Sequence, residues 1–102
     1  MKFLLTERAE QDLSGIVDYT IDTWGYQQAL IYNQHFDDAF QAIAENPHLP
    51  LSKNRQDLIP NLRALKVEKH YVFYTVSETE ITVVRILHEA MDFPRHFLWY
   101  KG

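Results

Sequence analysis

The stretch His70-Tyr-Val-Phe-Tyr-Thr-Val-Ser-Glu-Thr-Glu-Ile-Thr-Val-Val-Arg-Ile-Leu-His-Glu-Ala-Met-Asp92 decides the fold. Tyr71–Val76 and Ile81–Leu87 are dense in β-branched and aromatic residues, and the polar Ser77–Glu80 between them has turn character. Leu62–Val67 has the same composition and is set off by Glu68–His70, so three strands form an antiparallel meander. The first break lacks glycine and is the less typical turn. Strict alternation along the last strand puts Val84, Ile86 and His88 on one face and Val83, Arg85 and Leu87 on the other. Both faces are mostly apolar, so both need cover. A helical layer supplies one. The other is met either by Phe93, Phe97, Leu98 and Trp99 folding back or by a second chain or partner.

Upstream, Lys2–Leu5 reads as a short strand, and Thr6 with Glu7 behind it reads as a helix N-cap. Ala9, Leu13, Ile16, Val17, Thr20, Ile21 and Trp24 recur at helical spacing opposite Glu10, Gln11, Ser14, Asp18 and Asp22. This predicts an amphipathic helix of about four turns. Gly25 provides the residue that takes a positive φ at its end. A second helical pattern runs from Tyr26 through Ala29, Asn33, Phe36, Phe40, Ile43 and Ala44 until Asn46-Pro47 stops it. So short a connection implies an antiparallel helical hairpin, with Trp24, Phe36 and Phe40 expected to be buried. Residues His48–Asn61, with Pro50 and Pro60, read as a loop. The expected fold is α/β of the α+β kind: an N-terminal strand, then a helical hairpin packed on an antiparallel sheet of three to four strands.

A chain of 102 residues with 46% apolar content suits one core, and residues 1–102 are expected to form a single domain. No run of eighteen apolar residues suggests a membrane span, and Met1–Leu5 meets Thr6-Glu7 too soon for a signal-peptide core. Cysteine is absent, so neither disulfides nor thiolate chemistry is available, which agrees with a cytoplasmic location. The net charge of −4 argues against direct nucleic-acid binding, although Lys53, Arg55, Arg63, Lys66 and Lys69 form a local basic run.

Few patterns carry chemistry. His88-Glu89-Ala-Met-Asp92 lacks the second histidine of the zinc-binding His-Glu-x-x-His pair, and the other histidines have no ligand spacing, so neither metal nor cofactor is expected. Ser14, Ser52 and Ser77 sit in no nucleophile turn, and three glycines make no phosphate loop. Asp12 is the carboxylate that stands out, as a partner for Arg63 or Arg85. Metal-free RNA cleavage needs a base, an acid and a cation at the phosphorane, and Arg85 and His88 are the residue types for it. Structural roles for both fit the same positions.

Ala9, Asp12-Leu13, Ile16, Tyr19, Trp24-Gly25, Ala29, Tyr32, Pro47, Leu62-Arg63, His70, Phe73-Tyr74, Arg85-Ile-Leu-His88 and Asp92 together cover nearly the whole chain. In order and spacing they resemble the ParE branch of the ParE/RelE toxins. The resemblance implies a plasmid-stabilisation type of toxin that poisons DNA gyrase by protein contact. A ParD-like antitoxin would neutralise it in a hetero-oligomer by wrapping a disordered segment across it. The sister RelE branch cleaves mRNA on the ribosome. Tyr71 and Glu89 stand here where nuclease relatives carry a catalytic Arg and Tyr, which favours the gyrase branch. Arg63, Arg85 and His88 would serve a nuclease, and a non-toxic partner-binding relative is a third reading. Gyrase contact is expected at Arg85, His88, Phe93, Arg95, Phe97 and Trp99, or else at the loop with Lys53 and Arg55, and antitoxin contact at Leu13, Val17, Trp24, Val83 and Leu87. Arg85→Ala is expected to leave the fold intact and to weaken toxicity.

Overall fold

Thr6 ends the first strand and starts the first helix. Its Oγ1 accepts from the Ala9 N–H at 3.1 Å and donates to the Val84 carbonyl at 2.8 Å. In the computed structural model, which describes residues 1–98, β1 (Lys2–Leu5) leads through this cap into α1 (Glu7–Trp24). Gly25 follows with φ +95°, as the expected hinge, and α2 (Tyr26–Glu45) begins at once. Then come β2 (Lys53–Asn54), β3 (Leu62–Val67), β4 (His70–Val76), β5 (Glu80–His88) and a 3₁₀ turn at Pro94–Phe97.

The helical hairpin and the antiparallel meander stand as expected. The sheet is larger than three or four strands: its order is β1-β5-β4-β3-β2. β1 joins β5 in parallel, Lys2 opposite Glu80 and Leu5 opposite Val83, although the helical hairpin and three strands separate the two in the chain. The segment expected to be only loop contributes β2, which pairs antiparallel with Ala64 and Arg63. The glycine-free break is a two-residue turn, with Val67 opposite His70 and Glu68 at φ +55°.

The face assignment on β5 is corrected. Phe73 pairs with Arg85 but Tyr74 pairs with Val83, so Val84 is an inserted bulge residue and the alternation slips there. Val83 and Ile86 share the helix-facing core with Phe36, Phe40, Ile43, Val72 and Tyr74. Val84 and Leu87 lie on the opposite face with Leu62, Phe73 and Phe97. That face is covered from within the chain: Phe73 meets Phe93 and Phe97 edge-on at 5.1 and 5.2 Å. Leu98 takes no part, being 74% exposed, and Trp99 lies outside the described residues. Trp24 is also corrected; as the last residue of α1 it stands at the hairpin tip, 71% exposed.

Asp12 completes the sheet edge where β1 has run out. Its carboxylate accepts from Arg85 Nε at 2.8 Å, from Arg85 Nη2 at 3.0 Å and from the Ile86 N–H at 2.9 Å. The side chains are only 7% and 16% exposed, for Arg85 and Asp12 respectively. Arg85→Ala would therefore strand a largely buried carboxylate, contrary to the expectation of an intact fold. We expect it to lose about 3–5 kcal/mol of stability, measured as a lowered urea midpoint. A midpoint within the error of the wild type would show that the pair contributes nothing.

Candidate functional site

Gly15 sits in the middle of α1 with nothing within 4 Å of where a Cβ would stand. A mid-helix glycine costs about 0.5–1 kcal/mol relative to alanine, and here it opens one wall of a groove of about 930 Å³. α1 contributes Ile16, Tyr19, Thr20 and Trp24, α2 contributes Gln28 and Tyr32, and the far wall is formed by Glu68, Lys69, His70, His88 and Met91. The rim is aromatic and open, with Tyr19 66% exposed.

The floor is a stack of rings on neighbouring strands. His70 and His88 are directly cross-strand, their rings edge-on with centroids 5.1 Å apart. The Tyr32 hydroxyl and His70 Nδ1 are 2.9 Å apart, and His88 Nδ1 accepts from the Ala90 N–H at 3.0 Å. With the imidazole neutral, Tyr32 donates and the His70 proton resides on Nε2. Burial, with His88 alongside, holds His70 below the ordinary histidine value, Glu89 opposing weakly. Burial likewise raises the Tyr32 phenol. The turn beneath is secured twice, by the Glu89 N–H donating to the Lys69 carbonyl at 2.8 Å and by Glu68 meeting His35 at 2.8 Å.

The expected site residues separate into three places. Trp24 and His88 line the groove. Leu13 and Val17 are half-buried on α1, Leu13 packing on the helix-side core, and neither lines the groove. Val83 and Leu87 are fully buried, which withdraws them as contact residues. Arg85 is withdrawn for the same reason, being spent on Asp12. Phe97 is buried and Phe93 half-buried under Arg55, whose guanidinium lies 5.6 Å from the Phe93 ring, whereas Arg95 is exposed. Arg63 is at the far end of β3 and donates from Nε and Nη2 to Ser52 Oγ and the Ser52 carbonyl at 2.8 and 3.0 Å. The three residues named for a nuclease are thus not gathered: Arg85 is capped by a carboxylate, Arg63 lies at the opposite end of β3 from the groove, and Glu89 beside His88 pairs with Lys66 at 2.8 Å. No group of three metal-ligating side chains occurs among the described residues, and none of their helices is long and apolar enough to cross a membrane. The sequence reading overlooked Gly15 and Met91 as groove residues; the unpunctuated glycine inside a strong helical pattern was the available signal.

Comparisons with known proteins bear on this arrangement. Residues 3–93 match the family described as ParE toxin of type II toxin-antitoxin system, parDE. The chain is 35% identical over 96 residues to Toxin ParE1 of Mycobacterium tuberculosis (strain ATCC 25618 / H37Rv), spanning 93% of this chain and 96% of that one. It is 39% identical over 93 residues to Toxin ParE of Escherichia coli, spanning 88% and 86%. Its fold matches a chain of the chromosomal ParDE TA system from P. aeruginosa with a TM-score of 0.73 at 23% identity, over 86% of this chain and 95% of that one. A YoeB/ParE toxin from Agrobacterium tumefaciens matches at 0.62 and 15% identity, over 86% and 98%.

The depressed His70 value gives a pH dependence of known sign. The unfolded chain binds a proton more readily than the fold, so this contribution is complete above the unfolded value of about 6.5 and is lost as pH falls through the folded one. Urea unfolding at pH 7.5 and 5.0 should show a smaller acid-induced loss in His70→Gln than in the wild type. Equal losses in the two proteins would rule out His70 as the origin.

Proposed function

The chain belongs to the ParE toxin family of type II toxin–antitoxin systems, and we propose that it stops growth by binding DNA gyrase, with a ParD-like antitoxin holding it silent. The observation that carries the antitoxin half of this reading is the open groove between α1 and the end of the β4–β5 pair, with Trp24 and Tyr19 on its rim. A disordered segment folding into such a groove removes large aromatic surface from water and gains the cost of its own ordering back from that burial. Trp and Tyr are the residues that most often dominate interfaces of this kind.

Action by contact rather than by bond cleavage is supported by charge. A net charge of −4 suits neither rRNA nor a message. Arg85 is neutralised by Asp12, and the carboxylate of Glu89, close enough to His88 to interact with it electrostatically, would repel a phosphate brought to that histidine. Of the C-terminal residues expected at gyrase, Arg95 remains accessible, with Met91 and Leu98 exposed beside it. This segment is the proposed target contact. Gyrase and an antitoxin as partners are what support a cytoplasmic site of action in this reading.

The decisive experiment adds the purified protein to gyrase with supercoiled plasmid and, in parallel, to a reconstituted translation reaction with a defined message. Cleaved plasmid trapped on gyrase, with the message intact, is the expected outcome. A message cut only in the presence of ribosomes would replace this reading with ribosome-dependent mRNA cleavage, and inactivity in both would leave a non-toxic partner-binding protein. For the groove, Trp24→Ala and Gly15→Leu should each weaken antitoxin binding by about 2 kcal/mol or more while leaving thermal unfolding within a few degrees of wild type. Unaltered titration calorimetry in both variants would remove the groove from the antitoxin interface.

A further inference from the structure

At the end of β3 remote from the groove, a guanidinium is held in place and left without a carboxylate. Arg63 uses Nε and Nη2 on Ser52, which is itself buried and fixed from behind: Ser52 Oγ and the Tyr74 hydroxyl are 2.6 Å apart, and that hydroxyl donates to the Pro47 carbonyl at 2.6 Å. The donors are ordered along one line, Arg63 to Ser52 to Tyr74 to Pro47, so every acceptor in it is occupied. Arg63 forms no ion pair among the described residues, in contrast to Arg85 with Asp12 and Arg55 with Asp57 at 3.0 Å. Its Nε edge is engaged and the remaining Nη1/Nη2 edge is unspent, the fork geometry that takes a carboxylate or phosphate in two parallel hydrogen bonds. The guanidinium lines a polar pocket of about 310 Å³ with Asn54, Gln56, Asn61 and His48.

We propose that this pocket is a recognition site for a single carboxylate of a protein partner, taken by the Arg63 fork with the amides of Asn54, Gln56 or Asn61 as further donors. A monoanion balances one guanidinium. A nucleic-acid strand carries a charge at every phosphate and needs a series of cations to displace its counterions, whereas the residues lining the pocket with Arg63 are three amides, one imidazole and the apolar Leu62 and Val76, on a chain of net charge −4. The site is independent of the groove: Leu62 and Val67 mark the two ends of β3, about 17 Å apart at the ordinary strand rise.

The test is side-chain NMR of the full-length protein, following the Arg63 Nε–H and the carboxamide signals of Asn54, Gln56 and Asn61. The probes are sodium acetate and an acetylated, amidated triglutamate peptide, with inorganic phosphate and oligothymidylate as competitors, all at matched ionic strength. Saturable shifts with acetate and tighter ones with triglutamate are expected, lost in Arg63→Lys, which keeps the charge but not the fork. Gln56→Ala, an exposed position outside the Ser52–Tyr74 line, should fold normally and weaken the response by about two- to tenfold. Tighter saturation by phosphate or oligothymidylate, shifts that persist in Arg63→Lys, or no saturation by either carboxylate probe would each overturn the proposal.

Discussion

The carboxylate of Asp12 is the point at which the two layers of the molecule are joined. β1 pairs with β5 only as far as Val83, and beyond it the edge of β5 faces the start of α1 instead of a strand. Backbone groups left unpaired in such a place cost as much as lost hydrogen bonds. Thr6 takes the Val84 carbonyl, Asp12 takes the Ile86 N–H, and the bulge at Val84 brings Arg85 to the helix, where the same carboxylate meets it. A buried ion pair repays its desolvation only where further hydrogen bonds are made, and here Oδ2 of Asp12 accepts twice and Oδ1 once, while Nη1 of Arg85 is buried without a partner among the described residues. The position of α1, the phase of β5 on either side of the bulge and the groove along α1 all follow from it.

Much of this was readable from residue types. Helix boundaries at Thr6, Gly25 and Asn46-Pro47 are local, since caps, positive φ and proline act on their neighbours. The meander was visible for the same reason, and Asp12 was correctly paired with Arg85 as one of two candidates. The parallel β1–β5 contact was not, because strand partnership across 78 residues leaves no trace in either strand. The bulge was equally invisible, and one inserted residue was enough to put Val83 and Ile86, expected on opposite faces, on the same one. Trp24 was misplaced by treating every apolar residue at helical spacing as core, although the last position of a helix has neighbours on one side only. The line from Arg63 to Pro47 joins β3, β4 and the connection after α2, and although Pro47, Arg63 and Tyr74 belong to the pattern that carries the resemblance, nothing in their types or spacing shows that they meet.

The β3–β4 hairpin gives the protein two chemically different ends. Near Glu68 the surface is aromatic, floored by His70, His88 and Tyr32. Near Arg63 it is polar, and its hydroxyls are already ordered by Ser52 and Tyr74. The strands between are packed on both faces, helices on one and Phe93 with Phe97 on the other. Rigid separation of that sort lets one surface be occupied without geometric conflict at the other.

The long span between Asp12 and Arg85 also sets a clock. The two residues are 73 positions apart, and at a synthesis rate of roughly 5–20 residues per second Arg85 is added some 4–15 s after Asp12. Until β5 is made, Phe36, Phe40 and Ile43 lack the cover of Val83 and Ile86, and β1 has no parallel neighbour. A chain still on the ribosome therefore leaves accessible apolar segments that the finished fold buries. Any factor that binds apolar helix surfaces, whether chaperone, protease or neutralising partner, meets the protein first in that form, before it has a finished surface with which to act.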